Sequence, residues 1–342
     1  GSMSNFVVSV TVSNYPATAD GFNRQRGVAP GCNWAMGKTV RANNSGKTAW
    51  IGAALDDMVA LRIEKNIKVI NISEFTVGDP GLDSALRQKV NSAVNNGVLV
   101  VTIAGNDGPG TNAAQPEIDD PGRAAYSLTV GAANDNNQLT DYSSVGFAPA
   151  GSPPAGQEED FKPDLLAPGG SSYYTLMTSV DSDYSDGAFA DQQPADYSCG
   201  KGTSEAAPFV SGAAALIIQA LEDHGLQWDF NSNQHPIFVK MILCATASES
   251  NLNRENNTVS LSPSLQRAAA GPNGFPAGKD PYEGYGLLNP DAAVDAVALT
   301  YSNGALATSS LGPSSTDRRA WARTVTLPGG RNFTVTLANP AP

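Results

Sequence analysis

The residues from Gly202 to Pro208 (Gly-Thr-Ser-Glu-Ala-Ala-Pro) combine a hydroxyl nucleophile with the start of a predicted helix. Small and apolar residues follow, which indicates a buried helix with Ser204 close to its N-terminus. Unpaired N–H groups and the helix dipole at that end favour the negative charge that develops when a serine attacks a carbonyl. The alternative is a capping role, because Ser and Thr are common N-caps and Pro is common in a first helical turn.

A second side chain that could act on a carbonyl group is that of Asn106, which follows the apolar run 98–103. A carboxamide at this point can donate a hydrogen bond to an oxyanion. The alternative is a tight turn, because the sequence from Gly105 to Gly108 (Gly-Asn-Asp-Gly) is rich in turn-forming residues.

A serine nucleophile also needs a base that takes its proton and a carboxylate that orients the base. The chain has two histidines, His224 and His235. His224 follows Ser204 by about 20 helical residues, or roughly 30 Å, and His235 stands at the start of the next predicted helix. Neither histidine is therefore expected to reach Ser204.

Eight segments of the chain resemble, in the same order, motifs of the subtilisin-like serine peptidases. They are residues 27–30, 69–73, 98–106, 128–132, 142–146, 162–169, 202–208 and 284–289. The serine heptad resembles the family's nucleophile motif, and residues 98–106 resemble the strand that ends in its oxyanion-hole asparagine. The resemblance extends from residue 27 to about residue 298, and it implies the family's fold and a hydrolase acting on peptide or ester substrates.

The resemblance also implies the roles of individual residues. Ser204 corresponds to the catalytic nucleophile and Asn106 to the oxyanion donor. The residues that correspond to substrate-binding positions are Ser73, Glu74, Phe75, Ala104, Gly105 and Thr203. The family usually has an apolar residue at the position of Glu74 and a glycine at that of Phe75. We interpret Glu74 as a solvated charge at the rim of the cleft, with selection of a basic substrate side chain as the alternative.

The family's Asp and His motifs lie upstream of the segment that matches residues 27–30, and they are not found in this sequence. The residues before that segment contain no histidine and a single acid, Asp20. The run 6–12 is rich in β-branched residues and is predicted as a strand. It corresponds either to the strand that bears the family's Asp or to the remainder of the helix that bears its His, and neither alignment restores the triad.

Three functions fit these residues. The chain is a serine hydrolase with a degenerate or unusual activating apparatus, or it is a catalytically inactive subtilase-like scaffold that binds peptides in the cleft. The third possibility is that the chain is one fragment of a split or truncated peptidase, and that a complementing N-terminal fragment supplies the Asp and the His.

Short apolar runs alternate with helical patterns along the chain, which is typical of parallel βαβ units. We predict an α/β fold with a doubly wound, mostly parallel sheet and helices on both faces. The predicted strands are 34–40, 69–72, 98–103 and 125–130, and the predicted helices are 49–64, 82–95, one from the serine heptad onward and one from His235. Ligands bind beyond the carboxyl ends of such strands, where Ser73, Asn106 and Ser204 are expected to converge.

The sequence divides into three parts. Residues 1–3 are interpreted as an expression remnant, 4–298 as an N-terminally incomplete catalytic domain, and 299–342 as the start of a C-terminal β-rich module. Alternating residues between Ala322 and Leu337 predict a β-hairpin. Because two strands alone are marginally stable, we expect this hairpin to pack on the domain or on a second copy in a homodimer.

Composition limits the partners and the location. A net charge of −12 argues against nucleic acid. No apolar run approaches the roughly 18 residues that span a bilayer, so no membrane partner is expected. Few Lys and Arg with much Asn, Ser and Gly suit a secreted protein.

No cofactor is expected to be required, and no metal ligands are assigned. The cysteines Cys32, Cys199 and Cys244 show no metal-binding spacing. The acid-rich stretch from Asp181 to Gly187, together with the family resemblance, makes calcium a candidate structural ion. The acids at positions 119 and 120 are interpreted as solvated.

Overall fold

A four-stranded parallel sheet in the order β1-β2-β3-β4 forms the centre of the fold. The computed structural model describes residues 27–41, 45–76, 84–108, 118–146, 162–171, 177–180, 197–248, 279–302 and 305–306. The strands of the sheet are β1 (Val69–Ile72), β2 (Leu99–Ile103), β3 (Leu128–Ala133) and β4 (Leu165–Pro168). All neighbouring strands are parallel, so their carboxyl ends meet at one edge of the sheet.

Helices cover both faces of this sheet. They are α1 (Thr48–Leu61), α2 (Ala85–Asn95), α3 (Thr203–Asp223), α4 (Gln234–Thr246) and α5 (Pro290–Thr300). In β2, Leu99, Val101 and Ile103 pack with α3, α4 and α5, whereas Val100 packs with α1 and α2. A strand buried on both faces is expected to be nearly continuously apolar, and Thr102 is the one polar residue of β2. The predicted α/β sheet with helices on both faces is confirmed.

The long helix α3 is the central helix of the fold. It packs against all four strands of the sheet. By length and composition it could cross a membrane, which corrects the expectation that no apolar stretch is long enough. However, 72% of its most apolar 18-residue window is buried inside the fold, as expected of a core helix.

Two short antiparallel pairs complete the described elements. They are β5 (Met177–Val180) with β6 (Tyr197–Gly200), and β7 (Tyr301–Ser302) with β8 (Ala305–Leu306). The strand β6 ends shortly before α3 begins, so it leads the chain into the serine segment. The predicted strand 6–12 and the predicted hairpin 322–337 lie outside the described residues.

One predicted strand is wrong and another begins later than expected. Residues 34–39 have no regular structure, and Val40 makes only an isolated bridge. Trp34 and Met36 are 53% and 42% exposed, so these two side chains are not part of the core, whereas Val40 at the end of the segment is buried. The strand predicted over 125–130 begins at Leu128, because the residues before it form a turn.

A buried cluster of charged residues ties the start of β4 to its neighbours. The carboxylate of Asp164 is 3% exposed and lies 2.8 Å from Lys162 Nζ, 2.8 Å from Lys279 Nζ and 3.0 Å from Lys240 Nζ. Burial alone would raise the pKa of Asp164, but the three ammonium groups outweigh it and hold the pKa well below its ordinary value. Burial lowers the pKa of Lys162 well below its ordinary value, although Asp164 opposes that shift.

Candidate active site

The first turn of α3 brings Ser204 to the carboxyl end of β1. Two hydrogen bonds join it to Ser73, the residue directly after that strand. Ser73 Oγ donates to the backbone carbonyl of Ser204 over 3.1 Å, and Ser204 Oγ donates to the backbone carbonyl of Ser73 over 3.3 Å. Both residues are buried, so this reciprocal pair fixes the start of the helix against the end of the strand.

Pro208 explains why the Ser204 carbonyl is available to another donor. In an α-helix the N–H of each residue donates to the carbonyl four residues earlier, and proline has no N–H. The Ser204 carbonyl therefore lacks its intrahelical donor, and the Ser73 hydroxyl takes that place. Because α3 begins at Thr203, the proline stands in the second turn and not in the first, where the sequence had suggested it.

The side chain of Asn106 lies against the N-terminus of α3. Its Oδ1 accepts hydrogen bonds from the Thr203 N–H over 2.9 Å and from the Thr203 hydroxyl over 3.0 Å. A backbone N–H can bond only to an acceptor, so the oxygen of the amide faces Thr203 and Nδ2 does not. Within the described part of the chain no acceptor binds Nδ2, so this donor is available to a ligand one residue away from Ser204.

Gly105 sets the course of the backbone just before Asn106. Its φ of +112° lies in a region that favours glycine. A Cβ at this position would overlap Oδ2 of Asp119 and would stand 2.8 Å from Ser144 Oγ. The Gly105 N–H donates to Thr203 Oγ1 over 3.3 Å, so the Thr203 hydroxyl bridges Gly105 and the Asn106 amide.

The remaining predicted substrate-binding residues occupy different environments. Phe75 packs against the apolar cluster around α3, and Ala104 is fully buried. Glu74 is partly buried, its Oε1 has no hydrogen-bond partner among the described residues, and burial raises its pKa. The interpretation of Glu74 as a solvated rim charge is therefore wrong, because at least one of its oxygens is shielded from water.

His224 lies at the opposite end of α3 from Ser204. It is the exposed C-cap of the helix, and its Nδ1 lies 2.7 Å from the carbonyl oxygen of Ala220. The 21 residues of α3 separate the two ends by about 30 Å at 1.5 Å per residue. His224 cannot take a proton from Ser204 over that distance.

His235 lies near the other edge of the sheet. Its Nδ1 accepts from the Asp229 N–H over 2.9 Å, and its ring packs against that of Trp228. The indole of Trp228 donates to the carbonyl of Gly97 over 2.8 Å. Gly97 precedes the amino end of β2, whereas Asn106 follows its carboxyl end, so the strand separates His235 from the candidate site. Burial lowers the pKa of His235.

Glu205 is a candidate site residue that sequence reasoning missed. It is 6% exposed, and its Oε2 has no hydrogen-bond partner among the described residues. Burial raises the pKa of its carboxyl to about 7. A signal was present, because Glu205 is the only charged residue between Gly202 and Leu221 and directly follows the predicted nucleophile.

Nothing in the described ranges forms a metal site. They contain no group of three or more His, Cys, Asp or Glu side chains that could hold a metal ion. The stretch from Asp181 to Gly187 that suggested calcium lies outside the described residues. Asp120, which we expected to be solvated, is 3% exposed because it pairs with Arg87 and accepts a hydrogen bond from Ser84 Oγ over 2.8 Å.

Comparison with known proteins places this arrangement in a family. The sequence model described as the subtilase family matches residues 10–286. The chain belongs to the subtilase family. The matched range includes every residue of the candidate site, from Ser73 to Pro208.

Two curated subtilisins show how far the sequence of this subtilase has diverged. It is 31% identical to subtilisin NAT of Bacillus subtilis subsp. natto over 192 residues, which cover 56% of this chain and 40% of that protein. It is 33% identical to subtilisin Savinase of Lederbergia lenta over 193 residues, which cover 56% of each. The matched region thus spans only 40–56% of these relatives' own length.

Solved structures of proteases share the fold of this subtilase. A lanthipeptide protease superposes with a TM-score of 0.53 and 23% identity, covering 76% of this chain and 68% of that one. A prenylagaramide maturation protease superposes with a TM-score of 0.53 and 22% identity, covering 86% and 83%. The likeness at this level of identity concerns the subtilisin-like sheet and its helices.

Proposed function

We propose that this subtilase is a serine hydrolase in which Ser204 is the nucleophile and Asn106 the oxyanion donor. One observation carries the proposal. The two hydrogen bonds from Thr203 hold Asn106 Oδ1, and among the described residues no acceptor binds the amide nitrogen, which lies one residue away from Ser204. Family membership supports a hydrolase, and the N-terminus of α3 adds backbone N–H groups and the helix dipole.

The proposed reaction is acyl transfer to Ser204. The bond from Ser204 Oγ to the carbonyl carbon forms, and the carbonyl π electrons move onto the oxygen that faces Asn106 Nδ2. The hydroxyl proton passes to solvent. When the oxygen returns its electrons, the bond to the leaving group breaks, and water later hydrolyses the acyl-enzyme.

The proposed substrates of this chain are activated esters rather than unactivated peptide bonds. An activated ester loses its alcohol as a stable anion, so that leaving group needs no proton. An amine must be protonated as it departs, and both histidines of the chain lie far from Ser204. Peptide hydrolysis therefore requires a base and acid that a complementing N-terminal fragment would supply.

The second candidate function is an inactive scaffold that binds peptides in the same cleft. The observation that favours it is the hydrogen bond of Ser204 Oγ, which goes to the backbone carbonyl of Ser73 and not to an ionisable side chain. In this arrangement nothing among the described residues activates the hydroxyl.

A serine-directed fluorophosphonate distinguishes the two functions. We expect covalent labelling of Ser204, located by peptide mass spectrometry, and hydrolysis of a p-nitrophenyl ester. Both signals should be lost in Ser204→Ala and retained in Ser92→Ala, which removes an exposed hydroxyl on α2. A protein that binds peptides but shows neither labelling nor ester hydrolysis is the inactive scaffold.

Four further properties are proposed, each with its own measurement. Adding in trans an N-terminal segment that bears the family's Asp and His should restore casein digestion if the chain is one half of a split peptidase. Sedimentation velocity tests the homodimer. Thermal melting with and without a chelator tests a structural calcium ion. A secreted location, supported by composition, is tested by fractionating the producing cells.

A further inference from the structure

The carboxyl group of Glu205 shares a small space with the candidate oxyanion donor, and its Oε2 has no hydrogen-bond partner among the described residues. Measured from the point where a Cβ on Gly202 would stand, Glu205 Oε2 lies 2.7 Å away and Asn106 Nδ2 lies 3.5 Å away. Both side chains therefore approach the backbone that leads into Ser204. The oxygen of the Asn106 amide is already held by Thr203, so the free part of this amide is its donor.

Tyr142 is the titratable neighbour that senses the charge of Glu205. Burial first, and the Glu205 charge to a lesser degree, raise the pKa of the Tyr142 phenol. Its hydroxyl lies within hydrogen-bond distance of the carbonyls of Gly169 and Gly170, which can accept its proton. Lys201 places its ammonium group 5.2 Å from the centre of the same ring.

Two further carboxyl groups lie on the elements that adjoin this space. Asp119 stands beside Gly105, after β2, and Glu74 follows Ser73, after β1. Both are acids, so neither supplies a positive charge that would favour the ionised form of Glu205. The burial of Glu205 favours its neutral form.

We propose that Glu205 is a positioning residue for the oxyanion site, and that its carboxyl must be neutral for Asn106 to stabilise negative charge on a substrate oxygen. This inference rests on the function proposed for Ser204 and Asn106. An ionised Glu205 is an acceptor only, so it would capture the free N–H of Asn106. It would also place a second negative charge next to the oxyanion, in a poorly solvated site where repulsion is strong.

The ionisation of the Glu205 carboxyl falls in the neutral pH range. Since burial raises the pKa of this carboxyl to about 7, Glu205 is neutral below that pH and ionised above it. Only about one-tenth of the protein carries a neutral Glu205 one pH unit higher. The rate that depends on Asn106 should therefore be about tenfold lower at pH 8 than in a variant that cannot ionise, whereas the two rates should be about equal at low pH.

The first measurement does not depend on hydrolysis. The side-chain amide of Asn106 is observed by NMR in protein labelled with ¹⁵N-asparagine, and its resonances are assigned from their loss in Asn106→Asp. We expect them to shift with pH around neutrality in the wild type and to stay constant in Glu205→Gln. Glu74→Gln is the matched control, because it neutralises another glutamate that has a buried oxygen. In this variant the Asn106 resonances should shift with pH as they do in the wild type.

The second measurement is the pH dependence of kcat/KM for a p-nitrophenyl ester. The ratio of Glu205→Gln to wild type should be close to 1 at low pH and should rise to about 10 at pH 8. Glu205→Met, which also cannot ionise, replaces the glutamine variant if circular dichroism shows that the latter is unfolded. Parallel pH profiles in the wild type and these variants would overturn the inference.

The two measurements separate the inference from the proposed function. Constant Asn106 resonances in the wild type, or an unchanged titration in Glu205→Gln, overturn the role of Glu205 whether or not the ester is hydrolysed. A different result is also informative: the Asn106 resonances shift with pH in the wild type but not in Glu205→Gln, while the wild type neither hydrolyses the ester nor is labelled at Ser204. That result supports the link between Glu205 and Asn106 and contradicts the proposed activity.

Discussion

The side-chain hydroxyl of Ser73 donates to the backbone carbonyl of Ser204 over 3.1 Å, in the place of an intrahelical hydrogen bond that Pro208 cannot make. The end of β1 and the first turn of α3 are joined by this bond. The position of the candidate nucleophile thus depends on Ser73, the residue directly after β1.

We expect Ser73→Ala to lower the free energy of unfolding by roughly 1–3 kcal/mol, the cost of a buried group left without a partner. The substitution also removes the acceptor for Asn71 Nδ2. In Ser73→Ala/Pro208→Ala, residue 208 regains an N–H that can reach the Ser204 carbonyl. A double-mutant cycle in urea should therefore show that the second change offsets part of the first, by about 1 kcal/mol. If the two substitutions change the free energy of unfolding additively, this role of Pro208 is wrong.

The Thr203 hydroxyl is expected to orient the amide of Asn106. Thr203→Val keeps the shape of the side chain and removes both hydrogen bonds of the hydroxyl. We expect ester hydrolysis to fall while labelling still occurs at Ser204, and Thr203→Ser, which keeps the hydroxyl, should restore the rate. Equal rates in the valine and serine variants would show that the backbone N–H alone holds the amide.

Asn106→Ala removes the proposed oxyanion donor. Loss of such a donor in subtilisin lowers kcat by roughly 10²–10³, and we expect a smaller loss here for an activated ester. The matched control is Asn136→Ala, which changes an exposed asparagine. A double variant with His224→Ala and His235→Ala should hydrolyse the ester like the wild type. A rate that depends on either histidine would mean that the active form differs from this structure.

Asp164→Asn should destabilise the protein strongly. It leaves Lys162, Lys240 and Lys279 without their shared carboxylate, and breaking a buried ion pair costs roughly 3–5 kcal/mol. Because the pKa of Asp164 is lowered by folding, its contribution is fully present above the ordinary Asp pKa and is lost as pH falls through the lowered value.

The stability difference between the wild type and Asp164→Asn should therefore be constant at neutral pH and should shrink only in strong acid. Urea unfolding at several pH values measures it. Asp57→Asn, at an exposed position on α1, should unfold like the wild type throughout. A difference that already shrinks near neutrality would show that the three lysines do not hold Asp164 ionised.

The sequence predicted the sheet and the convergence of Ser73, Asn106 and Ser204 because these features follow from local patterns. β2 is apolar except for Thr102. The glycine at position 105 and the small residues of α3 mark close approaches of the backbone. The segment 34–40 was predicted as a strand although Gly37, Lys38 and Thr39 interrupt its apolar residues, and Trp34 is exposed.

The environments of individual acids could not be predicted in the same way. An acid in the first turn of a helix is usually solvated and favoured by the dipole, so the position of Glu205 in the sequence suggests a charged group. Its burial depends on packing against residues far away in the chain. The same holds for Asp120, whose ion pair with Arg87 joins residues that carry no common motif.

The surroundings of Ser204 are also part of the hydrophobic core. The first six residues of α3 are all buried, and the helix rests on all four strands of the sheet. Substitutions at these residues therefore act on the stability of the fold as well as on any reaction. Selection for folding alone is thus enough to keep Ser204 and its neighbours unchanged. In a relative that has no general base near this serine, the same first turn of α3 is therefore not evidence that the relative catalyses a reaction.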